Sequence, residues 1–237
     1  MPDFFLFALI ILLASILQTS TGFGFSIMAT PFLLLLFAPQ DAIQINLVLS
    51  LFISAALIRN IKNDVNWDIF KRLLVGSIVG LPFGIWIFLS IEVAALKISV
   101  GILILILTLL LMFNFRIRMK NGRDTLVGGL SGLFTTSIGM PGPPLLLYFS
   151  GASMKKEMLR ATTLAFYLFI YSASLLIQVV FAGTTMKAWT SIGVALPIVG
   201  VGLYLGQILF NYVSQKTFRV FTYIILIFTG VYLLIGQ

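Results

Sequence analysis

The chain has no histidine and no cysteine, and only 7 of its 237 residues are acidic. Without imidazole or thiol, Cys- and Ser/His-based nucleophilic catalysis, redox pairs and almost every transition-metal site are excluded. Charge is scarce as well: Asp, Glu, Lys and Arg make up 9% of the residues, where a soluble domain carries about a quarter. Apolar residues fill the gap, at 60% of the chain and a mean hydropathy of +1.12. Such a chain cannot cover its outside with polar groups in water, so an all-α polytopic membrane protein is expected, with the lipid bilayer as its surroundings. No cofactor and no metal are expected. The net charge of +8 would suggest nucleic acid in a soluble protein. In a membrane chain the position of each charge matters more than the sum, and no nucleic-acid partner is expected. Met1-Pro2-Asp3 offers no basic region ahead of the first apolar run, so no secretory leader is expected either.

Apolar stretches run over residues 4–37, 42–58, 73–89, 93–115, 125–150, 159–182, 188–210 and 218–236. A helix needs about 20 residues to cross the hydrocarbon, and six of these stretches suit one crossing each. The stretches 4–37 and 125–150 do not. The first is interrupted by Gln18-Thr19-Ser20-Thr21-Gly22-Phe23-Gly24-Phe25-Ser26 and then Pro31, the second by Thr135-Thr136-Ser137-Ile138-Gly139-Met140-Pro141-Gly142-Pro143-Pro144. Backbone there must be unwound, and unwound backbone at membrane depth survives only inside protein or along a wet cavity.

Basic residues decide how 125–150 is threaded. If it dips in and returns as a hairpin, only Lys97 and Lys187 of the 15 basic residues lie on the outer side. A single crossing would put Lys155, Lys156, Arg160, Lys216 and Arg219 outside with Lys97 and move Lys187 inside. The positive-inside rule therefore selects the hairpin, with the basic loops cytoplasmic and each arm about 13 residues long. By analogy 4–37 is expected to form a hairpin entering from outside, which leaves both termini external.

The broken stretches recur. Pro31 and Pro144 are 113 apart, each followed by a Leu-rich arm, and Gly80 and Gly84 are echoed by Gly202 and Gly206 in the small-xxx-small spacing of packed membrane helices. The chain is thus expected to form one membrane domain of two halves, 1–118 and 119–237, each a broken hairpin followed by three helices. An odd number of crossings per half makes the halves inverted repeats, an arrangement by which many secondary transporters build a midplane site with alternating access.

Thr21-Gly22-Phe23-Gly24-Phe25-Ser26 with Pro31, and Gly128-Gly129-Leu130-Ser131-Gly132-Leu133 leading to Gly139-Met140-Pro141-Gly142-Pro143-Pro144-Leu145, resemble the two halves of the sulfite exporter TauE/SafE family, also called the toluene sulfonate uptake permeases. The similarity covers the whole chain in length and layout. Gly24-Phe25-Ser26 stands where the family commonly has a run of three glycines, a departure that bears on the substrate more than on membership. The resemblance implies a transporter of sulfite, thiosulfate or C2 organosulfonates such as sulfoacetate in a bacterial plasma membrane.

The chemistry of the tips also fits an anion. A helix that starts inside the membrane offers unpaired amides and the positive end of its dipole. Second arms starting near Ser26 and near Gly142 would supply two such ends. Gly22, Gly24 and Gly139 allow positive φ, and Pro31, Pro143 and Pro144 suit a first helical turn. Thr19, Ser20, Thr21, Ser26, Thr135, Thr136 and Ser137 could donate further hydrogen bonds, or could merely satisfy broken backbone. Gln44 and Asn46 align with Arg160 and Thr162 at an offset of 116 and complete the candidate substrate-binding set. Arg160, a cation in the first turns of its helix, needs compensation by a substrate anion or a carboxylate, unless it simply snorkels. Tyr148, Tyr167 and Tyr171 could line a pathway but read rather as packing or interfacial belt, Trp67, Trp86 and Trp189 as interfacial anchors, and Asp41 and Asp124 as helix N-caps. The acidic residues all lie at or beyond span ends, so a deep proton relay is not expected. That favours an exporter running down the membrane potential; an importer of organic anions, a non-transporting sensor subunit and a homodimeric assembly are the alternatives the residues leave open.

Overall fold

The computed structural model describes residues 4–113, 120–150 and 154–212, together with the helical positions Ile227, Val231 and Leu234. The stretch expected at 218–236, apart from those three positions, and the basic residues Arg116, Arg118, Lys216 and Arg219 lie outside the described residues. Nine α helices are described: α1 (Phe4–Thr21), α2 (Phe25–Leu36), α3 (Pro39–Ile61), α4 (Trp67–Ser90), α5 (Val93–Met112), α6 (Asn121–Ile138), α7 (Gly142–Ser150), α8 (Lys156–Ala182) and α9 (Met186–Tyr212), with a short 3-10 turn at Lys62–Asp64. No strand occurs among the described residues. Five helices, α1, α3, α4, α8 and α9, are long and apolar enough to cross a membrane, and the all-helical, multi-pass expectation holds.

The two interruptions fall where glycine permits them. α1 ends at Gly22 (φ 81°), and Gly24 (φ 110°) precedes α2. α6 ends at Gly139 (φ 73°), whose N–H donates to Thr135 O in the 5→1 bond of an αL cap, while that of Met140 donates to Phe134 O. Both broken stretches double back. Phe7 near the start of α1 stacks edge-on against Phe37 just past α2, with ring centroids 5.6 Å apart. Tyr148 in α7 donates to Asp124 and accepts from Lys120 N, both at the start of α6. The arms are unequal, however: 18 and 12 residues in the first, 18 and 9 in the second, where about 13 each was expected. At 1.5 Å per residue the long arms measure about 27 Å.

Several local expectations are corrected. Pro143 and Pro144 do occupy the first turn of α7, but Pro31 is the seventh residue of α2 and interrupts its interior, freeing the carbonyl of Ile27. Asp41 does not cap α3, which has Ala38 at its N-cap; it sits in the first turn and accepts a hydrogen bond from Thr185 Oγ1 at 2.6 Å. Asp124 likewise is not a cap, since Lys120 precedes α6. Buried, it pairs with Arg72 of α4 at 2.5 Å and with Tyr148. Trp67, Trp86 and Trp189 are exposed on the outside of the helix bundle, but Tyr148, Tyr167 and Tyr171 are fully buried and form no belt.

The recurrence has a register of its own. α1, α2 and α3 begin at residues 4, 25 and 39, and α6, α7 and α8 at 121, 142 and 156, each 117 positions later. Neither 113 nor 116 is that register: Pro31 corresponds to Tyr148, and Arg160 to Ile43. α3 and α8 run opposite ways. Gln40 and Gln44 at the start of α3 donate to Ala182 O and Gly183 O at the end of α8, and Asn66 beyond the end of α3 donates its N–H to Thr162 Oγ1 at the start of α8.

Two glycine seams join helices that are distant in sequence, α4 with α6 and α9 with α1. A Cβ on Gly80 of α4 would lie 2.0 Å from Gly129 O, and one on Gly84 would lie 2.5 Å from Leu133 O and 2.9 Å from Thr136 Cβ, both on α6. On α9, a Cβ on Gly202 would meet Ser15 Cβ at 2.4 Å and Leu12 O at 3.3 Å, and one on Gly206 would meet Thr19 Cβ at 2.5 Å and Ile16 O at 2.9 Å, all on α1. Residues 12, 16 and 19 become 129, 133 and 136 in the same register, so one seam is built like the other. Without side chains between them the backbones touch, which is how helices gain attraction in lipid, where apolar surfaces have no preference for each other over solvent.

Candidate functional site

The two interruptions lie toward opposite ends of the antiparallel α3–α8 pair. Gly22 packs on Arg160, the fifth residue of α8: a Cβ there would be 3.0 Å from Arg160 Cα. Gly139 packs on the first turns of α3, where Asn46 Nδ2 donates to its carbonyl at 2.6 Å. From these points the second arms return toward each other. A Cβ on Gly142 would stand 2.9 Å from Ile27 Cδ1 and 2.9 Å from the Tyr167 hydroxyl, so the two helix starts meet inside the protein, between Phe23, Tyr167 and Tyr171.

Their donor content differs. The first backbone bond of α2 is Met28 N–H to Gly24 O, which leaves the amides of Gly24, Phe25, Ser26 and Ile27 without backbone partners. At the start of α7, Pro141, Pro143 and Pro144 have no N–H, so Gly142 alone offers an amide ahead of Leu145. Of the two helix starts expected to offer amides, the first is rich in donors and the second is mostly an apolar wall.

Most of the candidate hydroxyls are occupied locally. Ser20 donates to Ile16 O, Thr21 to Leu17 O and Phe23 O, Thr135 to Ser131 O, Ser137 to Leu133 O, and Thr136 to Gly132 O while contacting Ser174 Oγ at 3.0 Å. Gln44 and Thr162 tie α3 and α8 to their neighbours, at Gly183 O and Asn66 N. Thr19 faces α9 at Gly206. The hydroxyls of Thr19 and Ser26 are different: both are buried with no partner, and that of Ser26 lies at the first tip. Arg160 is 7% exposed, and its Nε has no hydrogen-bond partner. Its guanidinium lies over the ring of Phe210, 4.3 Å from the centroid, and Lys156 Nζ lies over the same ring at 4.6 Å. Among the described residues no carboxylate pairs with Arg160: the ion pairs found there are Arg72–Asp124 and Lys156–Glu157. Ring and cation attract, but the positive charge is left unneutralised.

The sequence reading did not single out Lys156 and Phe210, and it set Tyr167 and Tyr171 down as packing or belt rather than as pathway lining. The tyrosines lie one turn apart on α8 with ring centroids 5.0 Å apart, and neither hydroxyl has a partner. No three His, Cys, Asp or Glu residues gather into a metal-binding group among the described residues. The arrangement can hold an anion by amides, hydroxyls and one guanidinium.

A sequence model describing the sulfite exporter TauE/SafE family matches residues 7–233. The chain belongs to that family. Searches among curated proteins and among solved structures return no significant match. Membership makes the chain a multi-pass membrane protein of a transporter family, not of an enzyme family, and its family description points to sulfite and related sulfur anions. The TauE/SafE match begins in α1 and spans both broken stretches, so it covers all of the elements that meet at Ile27 and Gly142.

Proposed function

We propose that the chain is a secondary transporter that carries a small sulfur-containing anion, such as sulfite, thiosulfate or sulfoacetate, out of a bacterial cell across the plasma membrane. The observation that carries this reading is the meeting of two helix starts inside the protein, one with four unpartnered amides and with a buried, unneutralised Arg160 beside its tip. Together these supply positive potential and hydrogen bonds where a desolvated anion would sit. The register of 117 with antiparallel α3 and α8 supports inverted repeats, and inverted repeats support alternating access around that site. Arg59, Lys62, Lys71, Arg72, Lys120, Lys155 and Lys156 belong to the end where α8 starts, and this end is assigned to the cytoplasm. The N-terminus is then external, with α1 entering from outside. Export of a monoanion at 100 mV, inside negative, is favourable by about 2.3 kcal/mol, so no coupling ion is required in that direction.

The test is flux in proteoliposomes loaded with labelled sulfite, thiosulfate, sulfoacetate or isethionate under an imposed potential. Potential-dependent movement of at least one of these, with counterflow by the unlabelled anion, is expected. Absence of movement for all four, from protein that melts cooperatively, would overturn the reading.

A further inference from the structure

The register relating α3 to α8 brings Ser50 into correspondence with Tyr167 and Ser54 with Tyr171. In the first half this pair is satisfied. Gln18 Nε2 donates to Ser50 O at 3.0 Å and to Ser54 Oγ at 3.2 Å, and Ser54 Oγ donates to Ser50 O at 2.9 Å. In the second half the residue corresponding to Gln18 is Thr135, whose hydroxyl is spent on Ser131 O at 2.5 Å. The Ser54 hydroxyl thus has Gln18 as partner and the Ser50 hydroxyl has Asn46 Oδ1 at 3.4 Å, whereas Thr135 and Thr163, which correspond to Gln18 and Asn46, spend their hydroxyls on Ser131 O and Leu159 O and leave the two phenols without such a partner. Both side chains are 0% exposed, and neither hydroxyl bonds to anything. A buried hydroxyl without a partner has given up its water and gained no bond in return, and two of them one turn apart need a reason.

Their surroundings supply one. The Tyr167 hydroxyl stands beside Gly142, within 2.9 Å of where a Cβ on that glycine would be, so it faces the second tip. The Tyr171 hydroxyl faces Ser26 of the first tip and Ser50 of α3, near both but outside hydrogen-bonding geometry with either. The Ser26 hydroxyl is itself unpartnered. Three orphaned O–H donors thus border the place where α2 and α7 begin, alongside the free amides of Gly24 to Ile27. At the second tip, where prolines remove all amides but one, Tyr167 restores a donor.

Resting on the transport reading above, we infer that Tyr167 and Tyr171 are substrate-contacting residues, each donating its hydroxyl hydrogen to one anion held between the tips, with Tyr171 and Ser26 on the α2 side and Tyr167 on the α7 side. A phenol that donates to an anion gives a bond of the charge-assisted kind, stronger than a neutral pair. The donors are neutral, so oxyanions with several acceptor oxygens are preferred over chloride of the same charge.

The experiment compares the intact protein with Tyr167→Phe, Tyr171→Phe and, as a control on the exposed surface, Tyr204→Phe. Sulfite, sulfoacetate and chloride are the probes, and the readouts are anion-induced rise in melting temperature and labelled flux. Each of the two buried variants is expected to raise the half-saturating sulfite concentration about tenfold or more, to melt without anion no lower than the unaltered protein, and to lose most of the anion-induced rise. Tyr204→Phe changes none of these. Unchanged half-saturation in both buried variants overturns the inference while leaving transport intact. A fall in melting without anion, with half-saturation unmoved, assigns the hydroxyls to structure and also overturns it. Tyrosine-dependent stabilisation by sulfite or sulfoacetate without any flux supports the contacts and removes the transport reading instead. No stabilisation and no flux removes both.

Discussion

Arg160 is the residue at which charge, burial and backbone packing coincide. Its backbone seats Gly22, its guanidinium rests on Phe210, and no carboxylate neutralises it among the described residues. A snorkelling arginine would reach out to water or phosphate, whereas this one is 7% exposed. Replacement by alanine should raise the half-saturating concentration for anion flux about tenfold or more, since hydrogen bonds to charged groups contribute about 1.5–3 kcal/mol. Folding yield and melting temperature, measured on the same preparation in detergent, should change far less. Equal loss of both would return Arg160 to a purely structural part. The need for compensation at Arg160 was legible from its place early in a helix, but its partner was not, because Phe210 is 50 positions away in sequence and reaches it only through the fold.

At the scale of elements the glycine seams give the sharpest test. Gly80→Ala would put a Cβ 2.0 Å from a carbonyl oxygen of the facing backbone, a contact that can be relieved only by parting α4 from α6. A loss of about 1–3 kcal/mol is expected from such overpacking. Gly200 of α9 has nothing within 4 Å of its Cβ position; Gly200→Ala should be neutral or should stabilise through helix propensity. Thermal melts of the two variants side by side decide it, and similar losses in both would refute the close seam. The small-xxx-small spacing announces such packing in the sequence, yet it does not say which helix is the partner. The breaks too were legible, because Gly22, Gly24 and Gly139 stand amid hydroxyls and prolines in otherwise apolar runs. The register was not. Proline is the loudest signal in both runs, but Pro31 sits within α2 and Pro143 and Pro144 at the start of α7. Aligning prolines therefore shifts the halves by four residues, and that slip hides the correspondence of Ser50 and Ser54 with two tyrosines.

For the whole molecule the absence of cysteine becomes a tool. Single cysteines introduced at Asn63, in the exposed turn after α3, and at Thr184, in the exposed turn after α8, carry no background labelling. With the assigned orientation, a membrane-impermeant maleimide applied to intact cells should modify Thr184→Cys, and should reach Asn63→Cys only in inverted vesicles. Labelling of both positions from the same face would contradict the contacts that place α3 and α8 in opposite directions.

Because α1 is welded to α9 and α6 to α4, cutting the polypeptide near residue 118 leaves the two helices of each seam on different fragments. Fragments 1–118 and 119–237 made from separate genes should each be degraded when expressed alone, and should accumulate only when made together, recovered as an interlocked pair by a tag on one of them.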